Sequence, residues 1–587
     1  MDDETVRLPE QVRCEWGSDA VAAALRATGV PYIALNPGAS FRGLHDSLVN
    51  YLGNVAPQLL LCLHEEHAVA IAHGYAKVTQ QPMAVAVHSN VGLMHATMAI
   101  FNAYCDRVPV LVLGATGPVD ADRRRPWIDW IHTAADQGAL VRPYVKWDDQ
   151  PGSVSAAVAS LLRGNQLART HPEAPVYVCL DAAVQEAPFD GEPAADASRY
   201  APIADSAPSE DSLAAAVALL AEARRPVLLA GRVSRDPAEW DRRVELAERL
   251  GAAVITDLKV AAAFPTEHRL HRGTPGLFVS PDNLDLLRSA DTVLSLDWVD
   301  LGGTLRQAYR GGEPTAAVIS ASADHTLFNG WTKNDHFLPP VDVSLPGRPD
   351  VAVAALLDRL PPGDRRDTAT SAARAPGGPT VPGETLTVAH LAVTLRQTVS
   401  DGPATLIRAP LSWDADHWPV SSPLDYLGGD GGGGIGSGPG MAVGAALALR
   451  DSGRLPVAVL GDGDYLMGLT ALWTAARYEL PLLVVVANNR SFFNDELHQD
   501  RVARLRDRPV ANAHIGMRMQ GPDPDLAQLA RGQGLEGIGP VASPAELPCA
   551  LQRAVRLVRG GRPTVVDVRV ERGYGATTAA AITREAR

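Results

Sequence analysis

A carboxylate and an amide stand where a phosphate-bound metal would need them. Asp462 lies between Gly461 and Gly463, and Asn488-Asn489 follows after residues 464–487. The interval reads as strand, helix, strand. Residues 457–460 and 482–487 are short apolar runs, and between them Leu466, Leu469, Leu472, Trp473 and Ala476 recur at helical spacing. Neighbouring parallel strands would deliver Asp462 and Asn489 to one edge of a sheet. A carboxylate, a side-chain carbonyl and nearby backbone carbonyls are hard oxygen ligands that suit Mg2+, which keeps its other octahedral positions for phosphate oxygens and water. A helix beginning just after Gly463 would aim free N–H groups and its dipole at the same point. The flanking glycines let the backbone approach a diphosphate closely. G-D-G alone is a common tight turn; its pairing with N-N across a strand–helix–strand carries the reading.

Other candidates come from the first third of the chain. Residues 59–63 read as a strand ending at His64-Glu65, followed by a helical pattern over 66–77 with Val69, Ala70, Ala72 and His73 on one face. Glu65 is therefore expected at a carboxyl strand end, where α/β folds place ligands. Glu66 competes with it, and both could simply favour a helix N-terminus. His88-Ser89-Asn90-Val91-Gly92 follows the apolar run 83–87, and a histidine there could exchange protons near neutral pH. Asn36-Pro37-Gly38-Ala39-Ser40 reads as a turn. Residues 428–440, which include Gly434 and Ile435, read as a flexible glycine-rich loop before a helix starting near Met441. Phe492 and Phe493 either cap a pocket or pack in a core.

These residues need a scaffold, and the apolar pattern supplies one. Runs at 31–35, 59–63, 83–87 and 108–113, then 226–230, 253–256, 292–296 and 316–319, then 404–407, 457–460, 482–487 and 564–568 alternate with amphipathic stretches. Uninterrupted apolar strands between helices predict parallel sheets covered on both faces. Pro-, Ala- and Asp-rich stretches at 185–209 and 361–383 read as linkers. The expectation is an α/β protein of three doubly wound parallel-sheet domains: residues 1–190, 191–365 and 366–587. The 587 residues, 46% hydrophobic and 20% charged, are ordinary for such a chain. A formal charge of -14 argues against nucleic acid. The acidic N-terminus and the absence of a long uncharged apolar run predict no signal peptide, no membrane partner and a cytoplasmic protein. Five scattered cysteines without a C-x-x-C pair predict mostly buried thiols rather than disulfides or a zinc ribbon.

The stretch GDGDYLMGLTALWTAARYELPLLVVVANN resembles the thiamine diphosphate signature, and LHEEHAVAIAHGYAKVT resembles the glutamate segment of the same proteins. The chain is identified as a member of the thiamine diphosphate-dependent 2-oxo acid decarboxylase and acetolactate synthase-like family. Its motifs are most similar to those of the benzoylformate decarboxylases: A-L-W-T-A-A before an aromatic residue, H-S at 88–89 and the N-P-G turn at 36–38. The resemblance implies an N-terminal pyrimidine-binding domain, a central domain and a C-terminal diphosphate-binding domain. It implies Mg2+ held by Asp462, Asn489 and the carbonyl of Ser491, with Gly461 and Gly463 against the diphosphate. It places Glu65, nine residues before Gly74 of the G-Y-A motif, against the aminopyrimidine ring. Gly434 and Ile435 would support the bent cofactor. His88 would handle protons, with Ala39, Ser40, Phe492 and Phe493 on the substrate side.

The expected reaction is decarboxylation of a small 2-oxo acid to an aldehyde. The alternatives are an acetolactate synthase-like carboligation, in which an aldehyde or ketone acceptor yields a 2-hydroxy ketone, and a noncatalytic cofactor-binding paralogue. The resemblance implies a homodimer at minimum and commonly a homotetramer. FAD is not expected, because the strand 228–232 ends in a single glycine. Two positions depart from the family pattern. Ala39 stands where the substrate-binding serine follows Gly, with Ser40 one residue on. Asp464 stands after G-D-G where Ser or Ala is usual, and a carboxylate there would repel a diphosphate unless it points away.

Overall fold

The computed structural model describes Val6 and residues 12–193, 196–327, 337–361 and 385–574. Of the expected linkers, 361–383 lies outside these residues except for Pro361, and 185–209 is largely exposed chain with one 3-10 turn at Ser198–Tyr200.

The apolar runs form strands buried on both faces, and three sheets result. The first contains β1 Tyr32–Leu35, β2 Gln58–Leu61, β3 Met83–Val87, β4 Val110–Thr116, β5 Trp147–Asp149 and β6 Val176–Asp181, in the order β2-β1-β3-β4-β6-β5. The second contains β7 Pro226–Ala230, β8 Ala253–Ile255, β9 Thr292–Leu296, β10 Ala317–Ala321 and β11 Val343–Leu345, in the order β11-β10-β9-β7-β8. The third contains β12 Ala404–Arg408, β13 Leu455–Gly461, β14 Leu483–Asn488, β15 Glu536–Val541 and β16 Thr564–Arg569, in the order β12-β13-β14-β16-β15. Neighbouring strands run parallel throughout. This is the expected α/β architecture.

Strands β5, β6, β11 and β15 were not among the predicted runs. β5 and β11 are three residues each, and β5 carries two aspartates. β15 holds two glycines and a proline, which mark non-strand chain in a local reading. The five cysteines are free, but only Cys62 and Cys179 are buried; Cys14 and Cys105 are half-buried and Cys549 is exposed. Among the described residues no helix is long and apolar enough to cross a membrane.

The first and third sheets are joined by a helix pair, Glu65–Thr79 against Gly438–Leu449. Their backbones touch because glycines leave room. A Cβ on Gly74 would collide with the carbonyl of Met441, one on Gly444 with the carbonyl of Ile71, and one on Gly440 with the side chain of Ala70. The N-terminal ends of these two helices lie at the candidate site.

Candidate active site

The diphosphate-side edge is set by register. Gly461 pairs with Ala487, so Asp462 and Asn489 emerge just past the last rungs of β13 and β14. The helix begins at Asp462 itself, earlier than expected, and the predicted single helix is two short ones, Asp462–Gly468 and Ala471–Arg477. The break falls after Gly468, whose missing Cβ lets the carbonyl of Gly436 and the ring of Pro439 pack against it.

Asp462 is 5% exposed. Its Oδ1 accepts from the Gly463 N–H at 2.8 Å and its Oδ2 from the Arg490 N–H. Burial pushes the carboxyl up to about 6 in spite of these donors. No cationic side chain pairs with it among the described residues. A buried carboxylate without a cation is costly, and a divalent ion would relieve that cost, so the site fits the metal that the sequence implies. Asn489 Oδ1 accepts from the Ser491 N–H at 2.8 Å. Ser491 is buried; its hydroxyl donates to Glu496, which Arg518 grips through contacts of 3.0 and 3.1 Å. Asn488 is a strut, donating to Asp567 on β16 at 2.8 Å. Phe492 lies against Gly463, and the ring of Phe493 meets Tyr574 at 5.5 Å.

The glycine-rich stretch is tied by hydrogen bonds to other elements, and its helix starts at Gly438, before Met441. Asp464 explains part of this. Its Oδ1 accepts from the N–H groups of Gly436 at 2.7 Å and Gly438 at 3.2 Å, and its Oδ2 accepts from Arg408 Nε at 2.8 Å. Arg408 also pairs with Asp430 at 2.7 Å. Burial would weaken the guanidinium's hold on its proton, but the two carboxylates raise its pKa further. The carboxylate that departs from the family pattern is thus turned into the loop and neutralised. Gly434 lies under the side chain of Met98, and its carbonyl accepts from Asn102 Nδ2 at 3.4 Å; Ile435 is 41% exposed.

In the first sheet the helix starts at Glu65 rather than after it, with His64 as its cap: His64 Nδ1 accepts from the Glu66 N–H at 3.2 Å. Glu65 is buried, and its Oε2 lies 3.0 Å from His95 Nδ1 on the helix Ser89–Cys105. Its Oε1 sits where Gly92 lacks a side chain. Glu66 turns the other way and accepts from Ser437 Oγ at 3.1 Å. Burial raises the Glu66 carboxyl, Ser437 opposes the rise, and the charge of Asp464 adds to it. The two adjacent glutamates therefore face different partners.

His88 caps the helix that follows β3, and its Nδ1 is 2.8 Å from Ser40 Oγ. Burial lowers its pKa, His132 lowers it further at 4.9 Å between ring centres, and Glu65 opposes. Gly38 lies where any Cβ would strike the imidazole. Ala39 opens a 3-10 turn, Ala39–Phe41, which directs the buried Ser40 hydroxyl at His88. A hydroxyl is thus present one residue after Ala39, in contact with His88.

The sequence reading missed His95, His132, Asn102 and Ser437. A signal for two of them existed. His88, Gly92, His95, Ala99 and Asn102 recur at i, i+4, i+7, i+11 and i+14, which is one face of a helix.

Three parallel sheets with polar groups gathered at strand ends define an α/β protein with a candidate ligand site at the edges of the first and third sheets. Family profiles identify its class. The N-terminal TPP binding domain of thiamine pyrophosphate enzymes matches residues 15–140, the central domain 213–326 and the C-terminal TPP binding domain 410–568. These stretches span most of the chain, and the chain belongs to the thiamine pyrophosphate (thiamine diphosphate) enzyme family. It is similar to the acetolactate synthase isozyme 3 large subunit of Escherichia coli (strain K12), 25% identical over 94% of this chain and 95% of that one. It is similar to the benzoylformate decarboxylase of Pseudomonas aeruginosa, 27% identical over 87% of this chain and 91% of that one. In fold it matches a thiamine diphosphate-dependent 4-hydroxybenzoylformate decarboxylase of Rhodococcus jostii RHA1, with TM-score 0.76 and 23% identity over 95% of this chain and 100% of that one.

Proposed function

We propose that the protein is a thiamine diphosphate- and Mg2+-dependent decarboxylase that converts a small 2-oxo acid to an aldehyde and CO2. The observation that carries the reading is the Ser40–His88 pair, 2.8 Å apart at the carboxyl ends of β1 and β3. It sets a hydroxyl and a proton-transferring imidazole in the same half of the molecule as Glu65.

The residues divide the work. Asp462, Asn489 and the Ser491 carbonyl would hold Mg2+, with Gly461 and Gly463 leaving room for the diphosphate. Glu65 would share a proton with the cofactor's pyrimidine ring, and Gly434 and Ile435 would support the cofactor. When bound, the cofactor supplies the electron sink that lets CO2 leave. His88 would supply the proton that the aldehyde product needs, with Ser40 setting its ring. Ala39, Phe492 and Phe493 border the substrate side.

The working unit is at least a homodimer, and a homotetramer by family likeness. One observation supports this. Trp127 and Trp130 are 69% and 74% exposed on one short segment, as a covered surface would be in an isolated chain. The domains follow as residues 1–190, 191–365 and 366–587.

Carboligation to a 2-hydroxy ketone is the second reading, supported by the likeness to an acetolactate synthase over nearly the whole chain. A noncatalytic paralogue loses its main support, since Asp464 is paired with Arg408.

The test is CO2 release by the purified protein with Mg2+ and thiamine diphosphate across aliphatic and aromatic 2-oxo acids, beside Glu65→Gln. Cofactor-dependent release that collapses in the variant is expected, and the products separate aldehyde from hydroxy ketone. Tight cofactor binding with no release from any acid would overturn the decarboxylase.

A further inference from the structure

We propose that Asp464 is a positioning residue: its carboxylate, neutralised by Arg408, clamps the backbone of the 434–438 loop and so fixes Ile435 in the shape that receives the cofactor. The assignment rests on the reading of Ile435 as a cofactor support.

The loop needs a clamp. Glycine-rich chain has more conformations to lose on ordering than any other. Gly436 has a φ of +106, in the left-handed region that favours glycine, so the chain here adopts a conformation its neighbours would not hold unaided. Yet Ile435, between Gly434 and Gly436, is 41% exposed, and packing does little to place it. Its position must come from its backbone neighbours.

Asp464 acts on those neighbours. It is buried, and one oxygen accepts from both the Gly436 and the Gly438 N–H. Approach this close requires glycine, because a Cβ on Gly438 would collide with the other oxygen. Hydrogen bonds to a charged acceptor are stronger than neutral ones, and the Arg408 guanidinium lies against the same carboxylate at 2.8 Å. The opposite side is held too. Ser437 Oγ donates to Glu66 and accepts from Asn102 Nδ2 at 2.9 Å. The loop is thus tied to helices of both the first and the third sheet, and among the described residues Asp464 supplies the only anion on its backbone N–H groups at 436 and 438.

The experiment uses the full chain. Amide hydrogen exchange at Gly436 and Gly438 is measured without cofactor in wild type, Asp464→Ser and Asp430→Asn, and thiamine diphosphate affinity with Mg2+ is measured calorimetrically in each. In Asp464→Ser, Arg408 keeps Asp430 as its partner, so no buried charge is orphaned. Exchange at both amides is expected to quicken about tenfold in Asp464→Ser, with cofactor affinity weaker by a similar factor. Asp430→Asn, which leaves the clamp in place, is expected to exchange like wild type. Exchange and affinity within about twofold of wild type in Asp464→Ser overturns the proposal, as does equal loosening in Asp430→Asn, which would make the effect one of cluster charge. If wild type binds no cofactor while Asp464→Ser still loosens the loop, the functional reading falls and the clamp stands.

Discussion

Glu65 and His95 form a hydrogen-bonded pair, Oε2 to Nδ1 at 3.0 Å, that ties the first residue of one helix to the second turn of the next. Glu65 is buried and His95 is more than half exposed, so the imidazole approaches from the open side. The contact orients a carboxylate whose direction matters if it is to share a proton with a ring. His95→Leu should therefore lower kcat by about tenfold, in line with the loss of one orienting hydrogen bond, while leaving the apparent KM for the 2-oxo acid nearly unchanged. Steady-state CO2 release across substrate concentrations checks this. A change confined to KM would show that His95 contacts substrate instead.

His88 and Ser40 make a graded pair of predictions. His88→Ala removes the proton donor and should cost about 100-fold in kcat or more. Ser40→Ala keeps the imidazole but loses one of its restraints, and should cost about tenfold at most, in line with one hydrogen bond. Equal losses in both variants would move the hydroxyl from orienting the ring to binding substrate directly.

The metal edge predicts a loss of cofactor rather than of fold. Asp462→Asn removes the charge that burial makes costly, so the protein should melt no lower than wild type. Its retention of Mg2+ and thiamine diphosphate through gel filtration should fall sharply. Calorimetry of cofactor binding and a thermal melt, run side by side, separate the two effects.

A buried cluster below the site predicts an acid limb in stability. Asp106 pairs with Lys77 Nζ at 2.6 Å and His73 Nε2 at 2.8 Å. Burial would raise the Asp106 carboxyl, but Lys77 and His73 overrule it and hold it at about 2. A depressed carboxyl stabilises the fold above its ordinary value near 3.8 and loses that contribution as pH falls toward 2. His73 adds to the slope. Burial lowers its pKa below 6.5, so in acid the unfolded chain takes up a proton more readily than the folded one. Asp430 and Arg235 also act on Lys77, in opposite senses. Asp106→Asn, which leaves Lys77 buried without its partner, should destabilise by about 3–5 kcal/mol at pH 7. The gap to wild type should close as pH approaches 2. Melting temperatures between pH 2 and 8 test both statements.

The helix crossing predicts a steric failure. Gly444→Ala would place a methyl group in the carbonyl of Ile71. Backbone cannot yield as a flexible side chain can, so the cost should exceed the roughly 1–3 kcal/mol typical of overpacking. A large drop in melting temperature or loss of soluble protein is the expected outcome, whereas Gly453→Ala, with nothing within 4 Å but a left-handed φ of +72, should cost only local backbone strain.

Much of this was legible locally. Strand ends at 461 and 488 follow from uninterrupted apolar runs, and Asp462 and Asn489 follow from those ends. The long-range pairs were not legible. Nothing in the sequence around Asp464 announces Arg408, because the two meet only when β12 lies beside β13. For the same reason the glycine-rich stretch reads as flexible: its restraints come from residues 66, 102 and 464, far away along the chain. β15 was missed because Gly537, Gly539 and Pro540 break the local pattern while β16 supplies the pairing.

One hydrophobic core takes in β1, β3 and β4 of the first sheet together with β13 and β14 of the third, while the central sheet packs on two cores of its own. Among the described residues only Leu327 reaches the shared core from the middle of the chain, with Trp240 and Ala262 leaning on another face of the third sheet. Chain order and physical order therefore differ: the outer thirds form one body, and the middle third is an insert carried on it. Heating should resolve this as two calorimetric transitions rather than three. The larger would belong to the outer thirds melting together, and a protease that nicks the middle would leave a body still held by its own core.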